Sequence, residues 1–190
     1  MPRLSGKVAI VTGAGRLGNI GVAICRSFLA EEARAVVATD FRTDSSGEIE
    51  TLIAADGHAG AFRLMRHDVT SEADWQQVAK AAVDEFGQLD VLVNNAGISV
   101  HGGIGSTSLD DLHKVMAVNH DGLFLGIKTC APYLASAVER FGGGGSIINN
   151  LSMASYMPNA ANIGYHVSKA AGRILSVCAA VEYGAQKIRV

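Results

Sequence analysis

The stretch Val8-Ala9-Ile10-Val11-Thr12-Gly13-Ala14-Gly15-Arg16-Leu17-Gly18-Asn19-Ile20-Gly21 decides the fold. Its first residues form an uninterrupted apolar run of strand length, the mark of a strand buried on both faces. Glycines follow at once, and a helical pattern runs from residue 20 to about 31. Backbone amides without side chains, at a helix N-terminus, let a pyrophosphate approach closely. The next apolar run, residues 35–39, ends at Asp40, 27 residues after Gly13. A carboxylate there accepts ribose hydroxyls and repels a 2′-phosphate, which favours NAD over NADP. Arg16 and Arg42 argue mildly for a phosphate. The candidate cofactor contacts in this region are Gly13, Arg16, Gly18, Ile20, Gly21, Asp40 and Phe41.

Strand and helix keep alternating. Further strands are expected at 61–67, 89–94 and 146–149, the first of them mixed in polarity and so placed at a sheet edge. Helices are expected at 45–56, at 71–86 with Ser71 and Asp74 as a capping pair, from 108 towards Phe141 with a bend around Gly122 and Pro132, and at 163–183. Residues 187–190 read as the start of a sixth strand, and Gly142 to Gly145 as a loose connector. The implied architecture is α/β: one unit over residues 1–190, with a doubly wound parallel sheet between layers of helices. Ligands of such sheets bind beyond the strand C-termini, where Gly13, Asp40, Asn94 and Ser152 all fall.

The chemistry concentrates near the end of the chain. Tyr165 and Lys169 are four apart and share one helix face, and Ser152 arrives from the fifth strand. A phenol beside an ammonium, with a hydroxyl nearby, is suited to moving a proton on or off an alcohol oxygen. Asn119 falls on the apolar face set by Leu112, Val115 and Met116, and an inward amide needs a hydrogen-bonding partner.

Together these residues resemble the short-chain dehydrogenase/reductase family. The likeness covers the whole chain and rests on Thr12-Gly13 with the following glycines, Asp68-Val69, Asn94-Asn95-Ala96-Gly97, Asn119, Ser152 and Tyr165-x-x-x-Lys169. It implies a Rossmann fold, with Asp68 and Val69 flanking an adenine and Asn94 bracing the central strands. Asn95, Ala96 and Gly97 would lie along the cofactor, and Lys169 would also bond the nicotinamide ribose. Asn119 would hold a water through helix backbone groups. Asn119, Ser152, Tyr165 and Lys169 would be the catalytic set. The resemblance implies an oxidoreductase passing hydride between NAD and a secondary alcohol or ketone, assembled as a dimer or tetramer through the two long helices. Two departures stand out: Leu17 and Asn19 read as insertions in the glycine loop, and the chain stops at Val190, so the last strands and most of a substrate lid are expected to be missing, as in a fragment. An epimerase or dehydratase using the same Tyr/Lys pair, or an inactive nucleotide-binding or assembly module, remain the alternatives.

A net charge of −2 leaves no nucleic-acid footprint, and no apolar run reaches membrane-spanning length. The odd, scattered Cys25, Cys130 and Cys178 read as reduced, packed thiols of a cytoplasmic protein. The six histidines show no metal-ligand spacing, so no metal is expected. His166 reads as a side chain off the Tyr165 face, and His101 as a solvated loop residue.

Overall fold

The computed structural model describes residues 2–190. Five strands form one parallel sheet: β1 (Val8–Thr12), β2 (Ala35–Asp40), β3 (Phe62–Arg66), β4 (Val91–Asn94) and β5 (Ser146–Asn149). Their order is β3-β2-β1-β4-β5. All five residues of β1 are buried, because β2 and β4 flank it and helices cover both faces. The chain winds outward to β3 and then crosses to β4, so the strand order reverses between β1 and β4. A crevice opens there, at the carboxyl ends.

Helices α1 (Ile20–Ala30) and α2 (Ser46–Ala55) cover one face. Val22, Cys25, Leu29, Ile49 and Ile53 pack there against Ala9, Val11, Val36 and Ala38. Helices α3 (Glu72–Phe86), α5 (Gly122–Ala135) and α7 (Ile163–Tyr183) cover the other face. Trp75, Ile127, Cys130 and Ala179 pack there with Ile10, Leu92 and Ile147. Ser71 caps α3, accepting from the Asp74 amide at 3.1 Å, while Gly87 ends the helix in the left-handed conformation at φ 81°.

Three details differ from the sequence reading. The helix expected from residue 108 is interrupted directly before Gly122, whereas Pro132 lies inside a helix that continues past it. Helix α4 (Leu109–Met116) passes into one widened, π-helical stretch at Ala117–Asp121, centred on Asn119, before α5 begins. After Ser136 the short α6 (Ala137–Phe141) follows. Among the described residues the sixth strand reaches only its first pairing beside β5. Lys187 takes a left-handed conformation at φ 58°, and Arg189 makes a single parallel bridge to Ser146. Cys178 is exposed rather than packed, whereas burial pushes the thiols of Cys25 and Cys130 up to about 12.

At the amino end of the sheet, remote from the crevice, Asp90 forms a buried polar clasp. Its carboxylate accepts from the Val8 amide at 2.8 Å, from Gln88 Nε2 at 2.6 Å and from Arg140 Nη2 at 2.7 Å. It thereby ties β1, the start of β4 and α6 together.

His67 follows β3 and is 1% exposed. Its ring meets Trp75 edge-on, with centroids 4.4 Å apart, and Nδ1 bonds the Thr39 hydroxyl at 2.9 Å. Desolvation lowers its pKa to about 4, against the opposing pull of Asp74 and Asp68. Between that value and the ordinary one near 6.5, the unfolded chain binds the extra proton and the folded chain does not. Stability therefore rises with pH across this window and is lost as pH falls. Between about pH 7 and pH 4.5, His67→Leu is expected to lose roughly 2 kcal/mol less unfolding free energy than the parent in urea titrations. Equal losses would show that His67 contributes nothing to acid sensitivity.

Candidate active site

The glycine turn closes against the strand ends. Gly13, at φ 70°, lies so close to the β4 exit that an added Cβ would sit 2.8 Å from Ala96 Cα. Its carbonyl accepts from Asn95 Nδ2 at 3.1 Å and from Asn19 Nδ2 at 3.0 Å. Asn19, read from sequence as an insertion, is the cap of α1 and accepts from the Val22 amide at 2.9 Å. The longer turn is thus fastened at its far end. Asp40, at the end of β2, accepts from the amides of Gly15 at 2.8 Å and Arg42 at 3.0 Å. The carboxylate expected to meet a ribose therefore also holds the turn. Phe41 is exposed beside it, with the Arg66 guanidinium 4.9 Å from its ring centre; Arg16 is exposed on the turn.

These residues fit a dinucleotide. The first turn of α1 carries no acidic residue, whereas α3 and α4 each open on two. Its leading amides, including those of Ile20 and Gly21, have no acceptor within the helix and favour an anion. Gly18, at φ 73°, has nothing within 4 Å of where a side chain would stand. Gly97 keeps open the approach to Lys169 Nζ, which would lie 3.5 Å from a Cβ there.

Asp68 and Val69, expected to flank an adenine, lie between the end of β3 and the start of α3. The Asp68 carboxylate bonds the Thr70 amide and hydroxyl at 2.9 and 2.8 Å, and the Val69 carbonyl accepts from Trp75 Nε1 at 2.9 Å. Asn94 braces the sheet, donating to Asn149 Oδ1 at 2.9 Å. The Asn95 side chain is a buttress: it donates to the Thr12 carbonyl and accepts from Asn150 Nδ2, both at 2.8 Å. The Ala96 amide donates to Thr12 Oγ1 at 3.0 Å.

Asn119 is 2% exposed, and protein groups satisfy its side chain. It accepts from the Ile98 amide at 2.8 Å and donates to the Ile98 carbonyl at 2.9 Å and to Ser168 Oγ at 3.0 Å. This pairing accounts for the inward amide, with the side chain serving as a clamp. Ser168 Oγ in turn donates to the Tyr165 carbonyl at 2.9 Å, so the clamp joins the residues after β4 to the turn of α7 that carries Tyr165. Lys169, 6% exposed, donates to the Asn150 carbonyl at 2.8 Å, and its Nζ lies 5.6 Å from the Tyr165 ring centre. Burial lowers its pKa from the ordinary lysine value. A cavity of ≈ 10 Å³, the room of one water, is lined by Asn94, Asn119, Asn150 and Lys169 among others.

Ser152 opens a short turn, Met153–Ser155, and accepts from the Ala154 amide at 3.1 Å. That turn packs on α7. The contact runs through His166, which is buried and not a bystander: its ring bonds the Ala154 carbonyl at 2.9 Å. Sequence reasoning missed His166, Ser168 and Asn150. Only the Asn149-Asn150 pair at the end of β5 offered a signal.

The family model for short chain dehydrogenase matches residues 7–190. The chain is 39% identical to the 2,5-dichloro-2,5-cyclohexadiene-1,4-diol dehydrogenase of Sphingobium indicum, over 99% of this chain and 71% of that protein. It is 36% identical to the NADP-dependent (R)-specific alcohol dehydrogenase of Lentilactobacillus kefiri, over 95% of this chain and 68% of the relative. A crystal structure of a short chain dehydrogenase from Mycobacterium smegmatis superposes with a TM-score of 0.91 at 28% identity, covering all of this chain and 76% of that one. Among the described residues no helix is long and apolar enough to cross a membrane, and no cluster of ligating side chains suits a metal ion.

Proposed function

The chain belongs to the short-chain dehydrogenase family, and from that membership we propose that it oxidises a secondary alcohol, or reduces the matching ketone, with NAD. The observation that carries the reading is the shared face of α7, where the ammonium of Lys169 lies 5.6 Å from the Tyr165 ring centre, beside the segment that begins at Ser152. A nicotinamide bound beyond Gly97 would supply the hydride acceptor or donor. In oxidation Tyr165 Oη, as phenolate, takes the hydroxyl proton; in reduction the phenol returns it to the carbonyl oxygen. Ser152 Oγ hydrogen-bonds that oxygen and stabilises the charge it gains. The Lys169 ammonium, 5.6 Å from the Tyr165 ring centre, supplies positive charge beside the phenol. Asn119 holds the Tyr165 turn at a fixed distance from the strand ends. The reading predicts formation of reduced nicotinamide, followed by its near-ultraviolet absorbance, when the protein meets NAD and a secondary alcohol. No turnover across a broad panel of alcohols and ketones with either cofactor would refute it.

NAD is favoured on the reading that Asp40, whose carboxylate two amides fix at the end of β2, faces the adenosine 2′ position. Asp40→Ala is expected to shift the NAD-to-NADP ratio of kcat/KM towards NADP by about 10- to 100-fold, since a like-charge contact is removed. The ratio cancels any general loosening of the turn. An unchanged ratio would remove Asp40 from cofactor choice.

Assembly through the long helices belongs to the same reading. Val167, Ile174, Val177 and Val181 form a stripe along α7, and each is 45% exposed or more; Phe124 and Tyr133 are exposed on α5. These faces support pairing with a second copy, and sedimentation as a lone chain would count against it. The buried, unpaired thiols of Cys25 and Cys130 support a reducing, cytoplasmic location.

A further inference from the structure

Residues 156–162 have no helix or strand of their own, yet they stand between the Ser152 turn and the start of α7. Tyr156 and Met157 are 67% and 68% exposed there, and the Tyr156 ring touches α7 through the Arg173 guanidinium, 4.9 Å from its centre. Its far end is fixed by backbone pairing, with Gly102 donating to the Ala161 carbonyl at 2.7 Å and Ile163 to the Gly102 carbonyl at 3.0 Å. Its beginning is held by the Tyr156 and Met157 amides, which donate to the Met153 carbonyl at 3.0 and 2.9 Å, and its middle is tied to α7 by one ring. His166 Nε2 accepts from the Asn159 amide at 3.1 Å, so the ring proton lies on Nδ1, which donates to the Ala154 carbonyl at 2.9 Å. Both nitrogens are thus engaged by backbone groups, one in the turn after Ser152 and one in the 156–162 segment, and the ring stands on α7, next to Tyr165.

Resting on the dehydrogenase reading above, we propose that His166 is a positioning residue which sets two parts of the alcohol site independently. Through Ala154 it fixes Ser152, because the Ala154 amide donates to Ser152 Oγ while the carbonyl of the same residue accepts a hydrogen bond from the imidazole Nδ1. Through Asn159 it holds the outer part of the segment as a preformed wall. Ordering that wall before the alcohol arrives removes a conformational cost from binding. The first bond acts on turnover and the second on affinity for the alcohol.

The two bonds separate by substitution. In His166→Asn the side-chain amide nitrogen takes the place of Nδ1, keeps the Ala154 bond and releases Asn159. In His166→Gln the longer amide oxygen takes the place of Nε2, keeps the Asn159 bond and releases Ala154. Amide exchange read residue by residue is expected to quicken about tenfold at Asn159 in the first variant and around Ala154 in the second, with α7 unchanged. With NAD and cyclohexanol, His166→Asn is expected to raise KM for the alcohol about tenfold with kcat within about twofold, and His166→Gln to lower kcat by a similar factor. Affinity for NAD stays the same in both. Exchange that quickens evenly through α7, or identical patterns in the two variants, would overturn the proposal, as would a KM and kcat that move together. A parent protein that turns over no alcohol would sink the dehydrogenase reading instead, and the exchange patterns would still judge the two bonds.

Discussion

Tyr165→Phe is expected to lower kcat about 10³-fold while leaving cofactor affinity within about twofold. The substitution removes one oxygen and keeps the ring, so the Lys169 ammonium 5.6 Å from the ring centre retains its neighbour and the Asn150 carbonyl that it bonds. What disappears is the group that carries the proton. Positioned proton transfer typically contributes 10²–10⁴-fold, and His166, the neighbouring imidazole, is not free to replace it, because both its nitrogens are engaged by the Ala154 carbonyl and the Asn159 amide. Steady-state rates and calorimetric titration with NAD decide the matter. Normal turnover in the variant would place the acid–base function elsewhere. A matching loss of cofactor binding would make Tyr165 a binding residue first.

Gly15→Ala is expected to weaken NAD binding by about 10²- to 10³-fold and to lower thermal stability. A Cβ at this position would lie 2.0 Å from the Arg42 carbonyl oxygen and 2.4 Å from Asp40 Cβ, closer than any real contact. The backbone of the turn must move away. In moving it gives up the 2.8 Å bond from the Gly15 amide to the Asp40 carboxylate. Overpacking typically costs ~1–3 kcal/mol and a bond to a charged acceptor ~1.5–3 kcal/mol, which together account for the expected range. Gly18, where the space is empty, provides the contrast. Calorimetry on Gly15→Ala and thermal melts measure both effects, and a variant that binds NAD like its parent would show that the turn does not need this contact.

The sheet was legible because its central strands are buried on both faces and are therefore written as plain apolar runs. Residues 61–67 betrayed an edge strand by their mixed polarity, and β3 does lie at the edge. The capping pairs Ser71/Asp74 and Ser108/Asp111 also announce themselves, since the serine and its acidic partner sit within one turn. The parts that escaped depend on distant or backbone partners. Asn119 is 21 residues from Ile98, and nothing in its own neighbourhood names that partner. The widened turn around it inserts no unusual residue type, so the composition of 117–121 gives no warning. His166 bonds a carbonyl and an amide, groups that every residue possesses, and it therefore reads as an ordinary imidazole until the segment folds over it. The start of the sixth strand was legible in the apolar Ile188 and Val190, and Arg189 makes the one parallel bridge to Ser146 of a strand that has barely begun.

The Asp90 clasp lies at the amino end of the sheet, while the glycine turn, Ser152 and Tyr165 gather at the carboxyl end. Anchorage and the proposed chemistry are thus housed at opposite poles of one molecule. Directed-evolution libraries confined to the carboxyl pole can therefore diversify specificity without touching the knot that holds the strands in register, and the same separation gives natural descendants room to change their trade while keeping their frame.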